Sequence, residues 1–127
     1  MLGPKPPLKI LVVEDDLLVS RSLALILKRA GYLTDVVADA KHALQLFEPG
    51  KFDLVITDYE MPGIKGDELA SIIKSQAPAQ PVIILTGYLE KLERAGKPIV
   101  ADAVLGKPFP IAELLDTITK ALPRLGL

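Results

Sequence analysis

Residues 54–66, with the sequence LVITDYEMPGIKG, contain the strand and the loop on which the predicted fold is centred. Residues 54–57 form an apolar and β-branched run, which is typical of a strand buried on both faces of a parallel sheet. Asp58 follows directly, and packing explains it poorly because Asp is seldom buried without a partner. Open α/β sheets bind ligands at the carboxyl ends of their strands, so Asp58 is the first candidate for a functional group.

Apolar segments that alternate with helical patterns extend outward from this strand. The other predicted strands span residues 9–13, 32–37, 82–86 and 103–106. Five helices are predicted, one after each strand, and the fourth is a short segment from Leu89 to Ala95. Apolar residues at helical spacing define the buried side of the other four: Val19, Leu23, Ile26, Leu27 and Ala30; Ala40, Ala43, Leu44 and Phe47; Leu69, Ile72 and Ile73; and Ile111, Leu114, Leu115 and Ile118.

This alternation indicates one α/β domain, because parallel strands need crossover helices that cover both faces of the sheet. A doubly wound, flavodoxin-like sheet of five parallel strands in the order 2-1-3-4-5, with five flanking helices, fits the pattern. We expect the domain to span residues 8–122. Residues 1–7 are predicted to form a flexible, proline-rich N-terminal tail, and residues 123–127 a short C-terminal tail.

The composition of the 127 residues excludes several classes of function. The absence of cysteine excludes disulfides, thiolate catalysis and cysteine-ligated metals. The 15 basic and 16 acidic residues nearly cancel and form no basic cluster, so direct binding of nucleic acid is not expected. The apolar runs are far shorter than the roughly 20 residues of a membrane span, so we expect a soluble, cytoplasmic protein.

The predicted strand order brings polar residues from several strands to one edge of the sheet. Strands one and three are neighbours in that order, so Glu14 and Asp15 are expected beside Asp58. Thr86 and Lys107 end the fourth and fifth strands and flank this group. Asp16 is explained without a ligand, because it can cap the helix that follows.

Three clustered carboxylates repel one another, by roughly 4 kcal/mol for a pair about 4 Å apart at an effective dielectric constant near 20. Either one carboxyl is protonated or a divalent cation binds, and oxygen ligands with open water positions suit Mg²⁺. An Asp58 oxygen can then act as nucleophile toward a phosphoryl group and form an acyl phosphate. Lys107 would offer a positive charge and Thr86 a hydroxyl donor to the phosphoryl oxygens.

At these residues the chain resembles the receiver domain of bacterial two-component response regulators. The matching features are Glu14 and Asp15, Asp58 with Met61-Pro62-Gly63 behind it, Thr86, and Lys107-Pro108-Phe109, each at the end of a predicted strand. The resemblance implies that Asp58 accepts phosphoryl from the phosphohistidine of a sensor histidine kinase or a histidine phosphotransfer protein. The domain would catalyse its own phosphorylation and dephosphorylation and switch an output partner; its oligomeric state is left open.

The resemblance also implies a set of metal ligands. Mg²⁺ would be held by Asp15, Asp58 and the backbone carbonyl of Glu60, with help from Glu14 through water. It further implies a cis peptide bond before Pro108.

The chain departs from the family pattern on the side of the fourth helix. The family often carries Tyr or Phe three residues before the lysine, where this chain has Val104. Gly96-Lys97-Pro98 is expected to cut the fourth helix short. Glu60 and Tyr88 occupy variable positions that the resemblance connects with the rate of acyl phosphate hydrolysis.

Each site residue also has an ordinary structural interpretation. Asp58 can cap a turn, Thr86 can be a β-branched strand residue, and Lys107 can be a surface lysine. Glu14 and Asp15 can be part of a solvated helix start. His42, the only histidine, falls off the apolar stripe of its helix and is expected to be solvated.

Two other functions are compatible with the same residues. The first is a receiver-like interaction domain that phosphorylation no longer switches, as the valine and the short fourth helix suggest. The second is a small phosphohydrolase with Asp58 as nucleophile and Glu60 as general acid, although no cap domain is present to define a substrate. A flavin-binding protein is excluded because no Gly/Ser/Thr-rich phosphate loop follows the first strand.

Overall fold

The computed structural model describes residues 6–96 and 98–122, which form alternating strands and helices. The strands are β1 (Lys9–Val13), β2 (Leu33–Val37), β3 (Leu54–Asp58), β4 (Val82–Thr86) and β5 (Ala103–Gly106). The helices are α1 (Leu17–Arg29), α2 (Ala40–Leu46), α3 (Gly66–Gln76), α4 (Leu89–Ala95) and α5 (Ile111–Ala121).

The five strands form one parallel sheet in the order β2-β1-β3-β4-β5, which confirms the predicted doubly wound topology. The register places Val13 opposite Thr57, Asp58 opposite Leu85, and Thr86 opposite Gly106. β1, β3, β4 and β5 therefore end close to the same level. Residues that follow one strand end consequently become neighbours of residues that follow the next.

Apolar side chains on the two faces of the sheet form two cores. One face packs against α2 and α3, and its core includes Leu11, Val55, Leu69 and Ile84. The other packs against α1 and α5, with Ile10, Leu27, Ile56, Leu114 and Ile118 among its buried residues. Every residue of β3 and β4 is buried, so these central strands provide a rigid base for their carboxyl ends.

The ends of the helices follow the local sequence. Asp16 caps α1 by accepting hydrogen bonds from the backbone N–H groups of Leu18 and Val19, and Asp39 caps α2 in the same way. α1 is followed by Gly31 and α4 by Gly96, both with positive φ, a conformation that glycine adopts without steric cost. Gly96 thus ends the fourth helix at the predicted position.

A few details differ from the sequence-based predictions. Ile111 was expected to face the core but is 53% exposed, because it begins α5 and has helical neighbours on one side only. Ala30 likewise lies exposed at the end of α1. The proposed tails, residues 1–7 and 123–127, fall largely outside the described residues; Pro6 and Pro7 are exposed and lie in no regular element.

Candidate functional site

The carboxyl ends of β1 and β3 bring three carboxylates together. Glu14, Asp15 and Asp58 each offer one carboxylate oxygen, and these oxygens all lie within 4.8 Å of one another. Glu14 and Asp58 are buried, with 3% and 5% of their surface exposed, whereas Asp15 is exposed. We call these three residues the acidic edge. It forms because the strand that precedes Glu14 pairs in register with the strand that ends at Asp58.

Lys107, which directly follows β5, neutralises part of the charge of the acidic edge. Its Nζ atom lies 3.0 Å from Glu14 Oε1 and 2.8 Å from Asp58 Oδ1. The contact with Glu14 is a hydrogen bond, while the approach to Asp58 Oδ1 has the distance of an ion pair without hydrogen-bond geometry. Because three carboxylates face one ammonium group, two negative charges remain uncompensated at neutral pH.

The acidic edge has the properties of a site for a hard divalent cation. Its donors are all oxygen atoms, and Asp58 Oδ1 is buried; the Lys107 ammonium lies 2.8 Å away, but no hydrogen bond of good geometry reaches this oxygen among the described residues. Mg²⁺ prefers oxygen ligands and is commonly bound through one or two carboxylates together with water. The donor set and its uncompensated charge therefore fit Mg²⁺.

Burial and neighbouring charges shift the protonation of this cluster. Burial raises the pKa of Asp58 from 3.8 to about 6, the charges of Glu14 and Glu60 act in the same direction, and Lys107 opposes the shift. Burial disfavours the charged form of Lys107, but Asp58 and Glu14 outweigh it and raise the pKa of the lysine. At neutral pH the site thus holds an ionised Asp58 beside a protonated Lys107.

Thr86 and Glu60 are joined by a hydrogen bond that the sequence did not predict. Thr86 is completely buried at the end of β4, and Glu60 lies half-buried in the loop after β3. The Thr86 hydroxyl donates to Glu60 Oε1 at 2.5 Å and accepts from the backbone N–H of Tyr88 at 3.0 Å. The Tyr88 side chain is 60% exposed, so it contributes little to packing.

Gly66 is a site residue whose role the sequence did not reveal. A Cβ atom at this position would lie 2.4 Å from the carbonyl oxygen of Asp58 and 2.9 Å from the Cα atom of Tyr59. The N–H of Gly66 also donates to the carbonyl of Tyr59 at 3.0 Å. Only glycine allows α3 to begin this close to Asp58. A glycine at the first position of a helix, where it lowers helix propensity, is the clue that could have suggested such a contact.

The remaining sequence predictions near the site have clear structural outcomes. Asp16 lies outside the acidic edge and caps α1, as expected. His42 is exposed, as expected, and its Nδ1 atom lies 2.7 Å from Asp39 Oδ1. The peptide bond between Lys107 and Pro108 is cis, as the resemblance implied. Val104 is partly buried against the core on the side of α3.

Comparison with known protein families identifies the family of this chain. The response regulator receiver domain family matches residues 10–119. The chain belongs to this family. Receiver domains are signalling modules that act with sensor histidine kinases in two-component systems, and accepting a phosphoryl group is their general function.

Curated relatives agree with this assignment. The transcriptional regulatory protein TcrA of Mycobacterium tuberculosis is 38% identical over 119 residues, which cover 93% of this chain and 47% of TcrA. The transcriptional regulatory protein PdtaR of the same species is 37% identical over 121 residues, covering 93% of this chain and 58% of PdtaR. The chain thus spans about half the length of the curated relatives it matches.

Solved structures show the same receiver fold. The response regulator TrrA of Thermotoga maritima, crystallised in complex with Mg²⁺ and BeF, is 35% identical with a TM-score of 0.82. That alignment covers 91% of this chain and 99% of TrrA. The chemotaxis response regulator CheY4 of Vibrio cholerae is 30% identical with a TM-score of 0.81, over 91% of this chain and 99% of CheY4. Among residues 6–96 and 98–122, no helix is both long enough and apolar enough to cross a membrane.

Proposed function

We propose that Asp58 is the phosphoacceptor of this receiver domain. The observation that carries the proposal is the position of its buried carboxylate, within 4.8 Å of carboxylate oxygens of Glu14 and Asp15 and 2.8 Å from the Lys107 ammonium group. An ionised carboxylate in this position is a nucleophile, and the surrounding charges are those that a metal-assisted phosphoryl transfer requires. The pKa of about 6 leaves Asp58 mainly ionised at neutral pH.

The donor of the phosphoryl group is proposed to be the phosphohistidine of a sensor histidine kinase or of a histidine phosphotransfer protein. An Asp58 carboxylate oxygen attacks phosphorus, the phosphorus–nitrogen bond to the imidazole breaks, and the imidazole leaves with the bonding electron pair and takes up a proton. The product on Asp58 is an acyl phosphate. Lys107 is already in place to contact the phosphoryl oxygens as they approach.

Mg²⁺ would be held by carboxylate oxygens of Glu14, Asp15 and Asp58 together with the backbone carbonyl of Glu60. When bound, the ion would neutralise and orient the phosphoryl oxygens. Lys107 keeps the buried carboxylates partly neutralised before the ion arrives. The same residues would support hydrolysis of the acyl phosphate, so the domain would promote its own phosphorylation and dephosphorylation.

Phosphate incorporation tests this assignment directly. The purified chain is treated with acetyl phosphate and Mg²⁺, and the phosphorylated residue is identified by mass spectrometry. We expect one phosphoryl group on Asp58 and none in Asp58→Asn. Asp16→Asn is the matched control, because Asn caps a helix as well as Asp does and this variant should still be phosphorylated. Phosphate on another residue, or unchanged labelling of Asp58→Asn, would refute the proposal.

A receiver that is phosphorylated without switching its partners is a second candidate. It is supported by α4, in which no residue is buried, and by Val104 in place of the family's frequent aromatic residue. This function predicts that a partner binds the free chain and the chain loaded with beryllofluoride with equal affinity. A difference of tenfold or more, about 1.4 kcal/mol, would favour a functional switch instead.

A further inference from the structure

The Glu60 side chain has no part in the phosphoryl transfer proposed above, which uses only its backbone carbonyl. Its carboxylate nevertheless makes a specific contact between two strand ends, since Oε1 accepts the hydrogen bond from Thr86 Oγ1 at 2.5 Å. Glu60 follows β3 and Thr86 ends β4, so this bond joins the loop behind Asp58 to the neighbouring strand. Thr86 is also the residue whose hydroxyl is expected from the sequence to donate to the phosphoryl oxygens.

The Thr86 hydroxyl has one hydrogen atom to donate. Its oxygen already accepts a hydrogen bond from the backbone N–H of Tyr88 at 3.0 Å, and its hydrogen is donated to Glu60. Thr86 is fully buried, so water cannot readily replace either partner. A phosphoryl oxygen on Asp58 can therefore receive this hydrogen only after the bond to Glu60 is broken.

We infer that Glu60 is a positioning residue whose carboxylate holds the Thr86 hydroxyl in the unphosphorylated state and competes with the phosphoryl group for its single hydrogen. The inference rests on the proposed role of Asp58 as phosphoacceptor. Glu60 is half-buried, so its carboxylate can turn to solvent once Thr86 is released. The contact thus opposes the phosphorylated state and links formation of the acyl phosphate to movement at the end of β4.

Removing the acceptor should favour the state in which Thr86 contacts the phosphoryl group. A hydrogen bond to a charged acceptor that is partly exposed corresponds to about tenfold in an equilibrium constant. Glu60→Ala should therefore bind beryllofluoride, in the presence of Mg²⁺, about tenfold more tightly than the wild-type chain. Glu60→Gln keeps an acceptor oxygen without the charge and should fall between the two.

Simple charge repulsion between Glu60 and a phosphoryl group would also predict tighter binding in Glu60→Ala. A double-mutant cycle with Thr86→Val separates the two explanations, because this variant lacks the hydroxyl. If Glu60 acts through Thr86, Glu60→Ala should alter the Kd by no more than about twofold in the Thr86→Val background. If Glu60 acts by charge alone, Glu60→Ala should still increase the affinity for beryllofluoride about tenfold in the Thr86→Val background. Glu93→Ala, which removes an exposed acid of α4, controls for the change in net charge.

The experiment is a nuclear magnetic resonance titration of each variant with beryllofluoride at fixed Mg²⁺, together with three-bond couplings of the Thr86 methyl group in the free chain. We expect the couplings to report one rotamer in the wild-type chain and an average of several in Glu60→Ala. Unchanged couplings, or equal tightening with and without the Thr86 hydroxyl, would overturn the inference while leaving Asp58 as phosphoacceptor. A wild-type chain that does not bind beryllofluoride would instead overturn the proposed function, and the inference with it.

Discussion

The acidic edge and α4, which lines one cavity together with Lys107, differ in how they are held in place. Asp58 ends a strand in which every residue is buried, and α3 behind it buries Gly66, Leu69, Ala70 and Ile73. α4 has seven residues, none of them buried. The acidic edge is thus held in place by the core, whereas α4 is held weakly. Side-chain truncations of equal size should therefore lower the free energy of unfolding far more near the acidic edge than in α4.

The largest difference is expected for apolar truncations. Ile73→Ala in α3 should lower the free energy of unfolding by about 4 kcal/mol, because a completely buried side chain leaves a cavity. Leu92→Ala in α4 removes a partly exposed side chain and should cost less than about 1 kcal/mol. Urea denaturation of both variants measures the contrast. Equal losses would mean that α4 is packed as firmly as α3.

Glycine substitutions should show the next largest contrast. In Gly66→Ala, the new Cβ atom would meet backbone atoms of Asp58 and Tyr59 and should lower the free energy of unfolding by about 3 kcal/mol. Gly106→Ala is the matched variant, because the nearest atoms to its Cβ atom would belong to the Leu89 side chain, at 3.1 Å. That side chain belongs to α4 and can move, so about 1 kcal/mol or less is expected.

Gly66→Ala should also weaken Mg²⁺ binding, because the new methyl group displaces the backbone of Asp58. Gly106→Ala should leave it unchanged. A normally stable Gly66→Ala variant with intact Mg²⁺ affinity would contradict the close packing of α3 on Asp58.

Replacing the buried charge should stabilise the chain. Asp58 has a pKa of about 6 in the folded chain and 3.8 as an unperturbed group, so above pH 6 only the folded state bears the cost of a buried carboxylate. Below pH 3.8 the carboxyl is protonated in both states and the cost is absent. Without Mg²⁺ at pH 7.5, Asp58→Asn should therefore raise the free energy of unfolding by about 2 kcal/mol, after allowance for partial solvation.

Thermal melts of Asp58→Asn and wild type from pH 4 to pH 8 follow this effect. The gain in stability should grow as the pH rises from about 4 to 6, and it should level off above pH 6. Asp53→Asn, at an exposed acid in the loop before β3, serves as the control and should show no such gain. An Asp58→Asn variant less stable than wild type at pH 7.5 would argue that Lys107 already compensates the charge fully.

The same pKa should govern the affinity for Mg²⁺. Protons compete with the ion for Asp58, so the Kd for Mg²⁺ should be nearly constant above pH 7 and rise about tenfold per pH unit below pH 6. Isothermal titration calorimetry at several pH values measures this dependence. An affinity that is flat between pH 7 and pH 5 would exclude Asp58 as a ligand with this pKa.

The strands could be predicted from the sequence with almost correct limits because they are short apolar runs bounded by turns. The proximity of Glu14, Asp15 and Asp58 could also be predicted. Glu14 and Asp15 follow β1, Asp58 ends β3, and the order of strands makes β1 and β3 neighbours. Both predictions depend on patterns that are local in the chain or on general rules of topology.

Contacts between side chains that are distant in sequence could not be predicted in this way. The hydrogen bond between Glu60 and Thr86 joins residues 26 positions apart, and that between Lys107 and Glu14 joins residues 93 apart. Neither leaves a periodic pattern in the sequence. The exposure of Ile111 could not be predicted either. Helical spacing identifies the side of α5 that faces the core, but not how far the core extends along the helix.

Amide chemical-shift mapping with Mg²⁺ and beryllofluoride is the most direct test of Asp58 as a phosphoacceptor beside a cation site. We expect Mg²⁺ alone to shift the amides of Glu14, Asp15 and residues 58–60. Beryllofluoride should then shift those of Thr86 and Lys107, and this second response should be lost in Asp58→Asn. A chain whose spectrum ignores Mg²⁺, or whose beryllofluoride response survives in Asp58→Asn, would contradict the proposed site.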